Sequence, residues 1–349
     1  MYGVIMAGGQ GSRLMPLTLT RPKPMVEVLG RPVIDYVKEA MVDAGIDELV
    51  VTTGYRGEQL AAHVASWTTE EVRARVNQES IPMGTAGSVG LLRDELTSTF
   101  VVGSGDAIAS FDIRALLKSH RLHGAKVTMA LWEVQDPSEF GIVGLSSNEQ
   151  GEVDGDLRAG FIRQFLEKPT PDEAFSNVIN AGLYILEPEV LDHVPVGEKF
   201  DFSKQLFPRL LELDWPMYAQ TIDGVWFDVG QPSELLKAQG VLLERHDALP
   251  FHLPQGLLLE GGSLFPSSLR GHSGVTSSVL ANGCSVASGA SVMDSMLMAG
   301  CEVQTGVSIT NSVLGQDVTV VQGAVVNNCV VGDGTTVGSG LHENARIQN

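Results

Sequence analysis

The chain has 349 residues, 43% of them hydrophobic, and a formal charge of −19. That length suggests about two domains around a sizeable core, and the acidic balance excludes nucleic acid and anionic membrane as partners, since both demand a basic footprint. No apolar run approaches the roughly 20 residues needed to span a bilayer, the N-terminus enters a strand pattern instead of a signal peptide, and the sparse cysteines Cys284, Cys301 and Cys329 fit a reducing compartment, so a cytoplasmic location is expected.

The first expected strand, YGVIMA, leads into Ala7, Gly8, Gly9, Gly11, Ser12 and Arg13, followed by Lys23 between two prolines. Glycines let backbone N–H groups approach a bound anion closely, because no Cβ intervenes and positive φ is accessible. The loop therefore reads as a phosphate cradle, with Arg13 and Lys23 supplying cations to a polyphosphate. Neither the dinucleotide fingerprint nor the P-loop pattern occurs in it. Val33, Tyr36, Val37, Ala40, Met41 and Ala44 then fall at helical spacing, and ELVVTT reads as the next strand.

In QESIPMGTAGSV (78–89), Glu79 offers a carboxylate that can accept from both N1–H and the exocyclic amine of guanine, whereas thymine has one donor on that edge. A purine is thus expected, GTP ahead of ATP; the alternative is an exposed Glu79. The strand FVVGSG delivers Asp106, a candidate ligand for Mg²⁺, which takes one or two carboxylates together with phosphate oxygens. A turn or helix-cap aspartate is the competing reading. Ile113, Leu116, Leu117 and His120 mark another helix, and KVTMALW, FIRQFLE and NAGLYIL three more strands. Strands alternating with helices imply crossovers and a mainly parallel sheet, with ligands at the carboxyl ends of the strands.

After Leu257 the composition turns to small, β-branched and glycine residues with a countable period. Leu280, Leu297, Leu314 and Val331 recur at intervals of 17, as do Val286, Val303, Val320 and Val337, and Val292, Ile309 and Val326. Apolar steps of 6, 6 and 5 point one side chain inward per face of a three-sided parallel β coil. Leu269 and Val275 extend the register backwards, giving about four coils, and Cys284 and Cys301 would stack on adjacent ones. The expected domains are 1–246 and 263–349, with 247–262 as linker.

The opening run resembles the signature of the sugar-1-phosphate nucleotidyltransferases, AGGxGxRLxPLTxxxPKP, and the tail resembles the left-handed β-helix of hexapeptide repeats. The resemblance covers the whole chain and is nearest to mannose-1-phosphate guanylyltransferase-like members. It implies an α/β fold with a Rossmann-like mixed, mainly parallel sheet, followed by a left-handed parallel β-helix. It also implies transfer of a nucleoside monophosphate from an NTP, GTP first, to a sugar 1-phosphate, mannose 1-phosphate first. Glucose 1-phosphate with thymidylyl or adenylyl donors, and heptose or cyclitol phosphates, stay open. By this resemblance Ala7, Gly8, Gly9, Gly11, Ser12, Arg13, Lys23, Glu79, Gly84 and Thr85 bind the nucleotide, with Arg13, Lys23 and Asp106 catalytic. Asp228, in VWFDVGQPSELL, joins Asp106 on Mg²⁺ although the two lie 122 positions apart.

FGIV, FLEKP and NAGLYIL resemble the family's sugar-phosphate segments. They imply that Gly141, Glu167 and Asn180 bind sugar hydroxyls and Lys168 the 1-phosphate, while Phe140 replaces the family's tyrosine. Asp201 matches a further segment without an assigned role. Non-catalytic subunits of this architecture are expected to lose Arg13, Lys23 or Asp106, all present here. A β-helix acyltransferase wants a histidine base, and Leu280 to Gly340 contains none, with His272 and His342 outside the repeat. The β-helix, whose open coil ends need covering, is expected to form a homo-oligomer.

Overall fold

The computed structural model describes residues 1–54, 57–245 and 253–348. Positions 247–252 of the expected linker lie outside the described residues. The chain forms two compact units, Met1–Gly9 with Val37–Trp226, and Gln10–Tyr36 with Phe227–Asn349.

The first unit is built on a nine-stranded sheet. Its strands in chain order are β1 (Tyr2–Met6), β2 (Glu48–Thr53), β3 (Arg73–Gln78), β4 (Phe100–Ser104), β5 (Val127–Glu133), β6 (Gly141–Ser146), β7 (Ala159–Glu167), β8 (Val178–Leu186) and β9 (Met217–Thr221). They lie in the order β3-β2-β1-β4-β8-β5-β9-β7-β6. Helices α1 (Ile34–Asp43), α2 (Gly57–Ala65) and α3 (Gly84–Gly90) connect β1 to β2, β2 to β3 and β3 to β4, and these four strands pair in parallel. The sheet is mixed: beyond this half only β5–β9 pairs in parallel, Met217 opposite Val127. β4–β8, β8–β5, β9–β7 and β7–β6 are antiparallel, because β5 to β8 follow one another without intervening helices and cannot make parallel crossovers.

Buried faces explain the elements. α4 (Ile113–Leu122) buries Ile113, Leu116, Leu117 and His120, and its N-cap Asp112 accepts from Ala115 N–H at 2.9 Å. Val4, Val50, Phe100, Val102, Phe202 and Phe207 belong to one core cluster. β3 is the polar edge strand, alternating exposed arginines with half-buried residues, which protects an edge against further pairing.

The second unit holds the signature segment from Gln10 onward, a two-stranded hairpin (Glu27–Val28 with Arg31–Pro32), helix α5 (Pro232–Glu244) and the coils. Three parallel ladders make the coil faces, with partners such as Val279↔Met296, Val286↔Val303 and Val292↔Ile309. This arrangement fits a left-handed β-helix. Leu280, Leu297, Leu314, Val331 and their counterparts fill its interior, and all three cysteines are free and buried.

A second column reinforces the stack. Ser277, Asp294, Asn311, Asn328 and Asn344 each take positive φ at one corner. The residues that follow the first three, Ser278, Ser295 and Ser312, are fully buried. Each serine Oγ accepts from the backbone N–H one coil on, at 3.1, 3.1 and 3.0 Å, ending at Cys329. The ladder satisfies corner amides that would otherwise be buried without partners. The final coil is one residue shorter: Val320 pairs with Val337, but Val330 pairs with Arg346 and Val331 with Ile347.

Candidate active site

In the first unit the parallel strands deliver the expected residues to one sheet edge. Ala7 N–H donates to Thr52 O at 2.8 Å, Glu79 N–H to Thr53 O at 2.8 Å, and Gly105 N–H to Met6 O at 2.9 Å. The chain leaves the sheet at Gly8, Glu79 and Asp106 on the same carboxyl side. Gly8 and Gly9 are exposed, and a Cβ at either would meet no described atom within 4 Å. Open space in front of the backbone amides suits a bound anion. Ser104 Oγ donates to one Asp106 oxygen and orients that half-buried carboxylate.

Glu79 is 9% exposed; its Oε2 accepts from Met83 N–H at 3.0 Å, while its buried Oε1 has no hydrogen-bond partner. A buried carboxylate oxygen left unpaired costs free energy that a ligand donor recovers. The following turn needs glycine: Gly84 has φ +74, and a Cβ there would lie 2.7 Å from Phe200 O. Thr85 takes a structural part. Its N–H and Oγ1 donate to Asp201 Oδ1 at 3.2 and 3.3 Å, and its Oγ1 accepts from Phe202 N–H at 2.9 Å. Asp201 thus holds the GTAG turn from a segment 116 positions away, anchored by the buried Phe202.

The sugar-phosphate candidates Gly141, Glu167, Lys168 and Asn180 all lie in the first unit, on or next to strands β6, β7 and β8. Gly141 and Glu167 are register partners, and a Cβ at Gly141 would lie 2.7 Å from Glu167 Oε2. Burial pushes the Glu167 carboxyl above its ordinary range, and Lys168 and Lys204 draw it back. Asn180 sits at an irregularity in the β8–β5 pairing; its Nδ2 donates to Tyr184 Oη at 2.8 Å and its Oδ1 accepts from Gly182 N–H at 2.9 Å. Burial raises the Tyr184 phenol, the Asn180 hydrogen bond draws it back, and the charges of Glu167 and Asp106 add to the rise. Lys168 has a left-handed backbone, and its ammonium pairs with Glu139 at 3.1 Å in an exposed contact. Such surface pairs are weak, about 0–1 kcal/mol, so a phosphate can compete for the ammonium. Phe140 packs edge-on against Trp226, whose Nε1 donates to Ala181 O at 3.0 Å. Ser203, in the helical turn Phe202–Leu206, accepts from Asn180 Nδ2 at 3.4 Å; it, Tyr184 and Trp226 are not among the expected site residues, because their contacts come from segments distant in sequence.

In the second unit Gly11 has φ +64, and a Cβ there would lie 2.8 Å from Lys23 Cβ, so the loop folds tightly over the lysine stem. Thr18 Oγ1 donates to Gly11 O at 2.9 Å. Lys23 is 8% exposed, and its Nζ lies 3.3 Å from Asp228 Oδ1. A Cβ at Gly230 would stand 3.2 Å from both the Arg13 guanidinium and Asp228 Oδ1. Arg13, Lys23 and Asp228 are therefore neighbours, with Ser12 and Arg13 exposed to solvent. Among the described residues no group of three or more His, Cys, Asp or Glu is arranged to hold a metal unaided. Asp106 in the first unit and Asp228 in the second each offer carboxylate oxygens, hard donors of the kind that divalent cations bound with phosphate take.

Residues 2–245 match the family described as Nucleotidyl transferase. The chain belongs to the nucleotidyl transferase family. Residues 265–344 of this nucleotidyl transferase match "GlmU-like, C-terminal hexapeptide". Curated relatives include the mannose-1-phosphate guanylyltransferase catalytic subunit beta of Drosophila pseudoobscura pseudoobscura, 35% identical over 67% of this chain and 60% of that protein. The mannose-1-phosphate guanyltransferases of Saccharomyces cerevisiae (37% identical, 68% of this chain, 63% of the relative) and Schizosaccharomyces pombe (36%, 68% and 62%) are similar to it as well. The chain thus spans 60 to 63% of the length of these relatives. Nucleotidyltransferases of this family typically use a divalent metal ion. No helix among the described residues is long and apolar enough to cross a membrane.

Proposed function

We propose that the protein transfers GMP from GTP to mannose 1-phosphate, giving GDP-mannose and pyrophosphate. The observation that carries the base is Glu79, a buried carboxylate with one oxygen unpaired, facing the end of the parallel half-sheet. Guanine brings N1–H and an amine to that carboxylate, and the relatives named above support the sugar. Gly8, Gly9 and Gly11 lend amides to the phosphates, while Arg13 and Lys23 neutralise charge on the transferring group. Gly141, Glu167 and Asn180 read the sugar hydroxyls, and Lys168 exchanges Glu139 for the sugar's phosphate. No protein nucleophile is needed: a phosphate oxygen of the sugar attacks the α-phosphorus, and the P–O bond to pyrophosphate breaks opposite it. The work of the chain is positioning and charge neutralisation. Asp106 and Asp228 would hold Mg²⁺, which supplies Lewis-acid stabilisation of the phosphoryl oxygens.

We assign residues 1–246 to the catalytic domain, 263–349 to the β-helix and 247–262 to their connection, a division supported by the family matches over 2–245 and 265–344. We place the protein in the cytoplasm, which free buried cysteines suit. A pyrophosphate-release matrix of the common nucleoside triphosphates against several sugar 1-phosphates tests the reading. GTP with mannose 1-phosphate is expected to exceed every other pair; a higher rate with dTTP or ATP and glucose 1-phosphate would refute it.

The β-helix is expected to assemble copies of the chain. Val325 and Leu341 are register partners on neighbouring coils, and both are exposed. Introducing V325E and L341E together is expected to lower the mass seen by light scattering; an unchanged mass would remove this face from the assembly.

A further inference from the structure

We propose that the last coil of the β-helix is a clamp on the signature loop, with Arg346 and Asp333 as positioning residues for Arg13 and Lys23. The inference rests on the catalytic reading above, but its structural basis is separate. Arg346 donates through Nη1 to Met15 O at 2.6 Å and through Nη2 to Arg13 O at 2.9 Å. A guanidinium spanning two carbonyls fixes the backbone on which the Arg13 side chain stands.

Asp333 works from the preceding turn. Its Oδ1 accepts from Gln316 N–H at 2.8 Å, tying it to the neighbouring coil. Its Oδ2 accepts from both Arg21 and Thr20, and Arg21 and Asp333 form a largely buried ion pair. Arg21 stands two positions before Lys23, so the pair holds the other end of the loop. Between the two anchors Pro16 packs on Gly332, where an added Cβ would stand 3.1 Å from the proline ring.

The repeat pattern marks Arg346 as a departure. On the earlier coils the residues in its ladder are Val279, Met296, Val313 and Val330, all buried and apolar. The one-residue shortening of the last coil brings an arginine into that column. Coil stacking alone gives no reason for a charge there; the carbonyls of Arg13 and Met15 do.

The loop carries amides that report its shape. Leu14, Met15, Leu19, Met25 and Val26 N–H donate to Gly11, Ser12, Pro16, Pro22 and Lys23 carbonyls. Hydrogen exchange followed by mass spectrometry on the full chain, with kcat and KM for GTP and mannose 1-phosphate, compares wild type with R346A, R346K and D333N. R346A is expected to speed exchange over residues 14–26 with the coil amides from Val279 to Val331 unchanged. It should lower kcat about 10- to 100-fold, the scale of a misplaced catalytic group, with a smaller change in KM. R346K, which can reach one carbonyl, should recover part of both. D333N should loosen residues 19–26 most. Unchanged loop exchange in R346A and D333N would overturn the clamp. Exchange that rises equally through the coils would assign these residues to stack stability and overturn it too, as would a loosened loop with unchanged kcat. If wild type turns over no substrate pair, the catalytic reading fails, and the loop exchange still decides the clamp.

Discussion

Replacing Asp106 with asparagine is expected to lower turnover about 10³-fold, the upper range for losing one preorganised group that faces developing charge. The substitution keeps the shape of the side chain and an oxygen for the Ser104 hydroxyl to donate to. Gly105 N–H stays paired with Met6 O, so the strand end is undisturbed. The thermal midpoint should therefore stay within about 2 °C, the shift of a sub-kcal/mol change in a domain this large. What is lost is the negative charge that, in the proposed reaction, faces the α-phosphate and a divalent cation. Pyrophosphate release and a melting curve on the same preparation separate the two effects. More than a tenth of wild-type activity in a folded D106N would remove Asp106 from the catalytic group.

Replacing Glu79 with glutamine is expected to invert the base preference. Met83 N–H donates to one Glu79 oxygen, and in the glutamine it would keep the carbonyl oxygen on that side. The amide NH₂ then occupies the position of the unpaired Oε1 and meets guanine donor to donor, whereas adenine presents an acceptor at N1 and a donor at its amine. Two charge-assisted hydrogen bonds are at stake, about 1.5–3 kcal/mol each. The kcat/KM for GTP should fall about 10²- to 10³-fold, at 1.4 kcal/mol per tenfold, while that for ATP rises. A variant that keeps its GTP preference would show that Glu79 does not read the base.

The sequence disclosed whatever is periodic or contiguous. The 17-residue recurrence predicted the interior of the coils residue by residue, because each position meets its own equivalent one coil away. The strands Tyr2–Met6, Glu48–Thr53 and Phe100–Ser104 were legible as buried apolar runs, and Asp106 as the residue after one. Hidden from it were pairings across distance. Thr85 reads as part of a nucleotide loop, yet its hydroxyl is engaged by Asp201 and Phe202 N–H. Asn180 reads as a sugar ligand, and its amide also bonds Tyr184 and Gly182 across a strand irregularity. β3, reading RARVNQ, escaped notice because an edge strand needs no continuous apolar face. The parallel half-sheet was legible from its helices; the other half, antiparallel except for β5–β9, was not, since strand order there depends on pairings between segments distant in sequence.

The coil count is itself a dimension of this molecule. Gln239 of α5 donates to Ser295 O, while Arg346 holds the carbonyls of Arg13 and Met15. Three coils separate those anchors, a length of about 14 Å at the spacing of neighbouring strands. Solenoids commonly drift in length, because a whole repeat can be gained or lost without disturbing its neighbours. Here a coil inserted between Ser295 and Arg346 would carry the arginine one strand spacing, about 4.8 Å, away from its carbonyls. The stack thus behaves as a ruler with both ends fixed, and descent by repeat duplication is open only outside that interval.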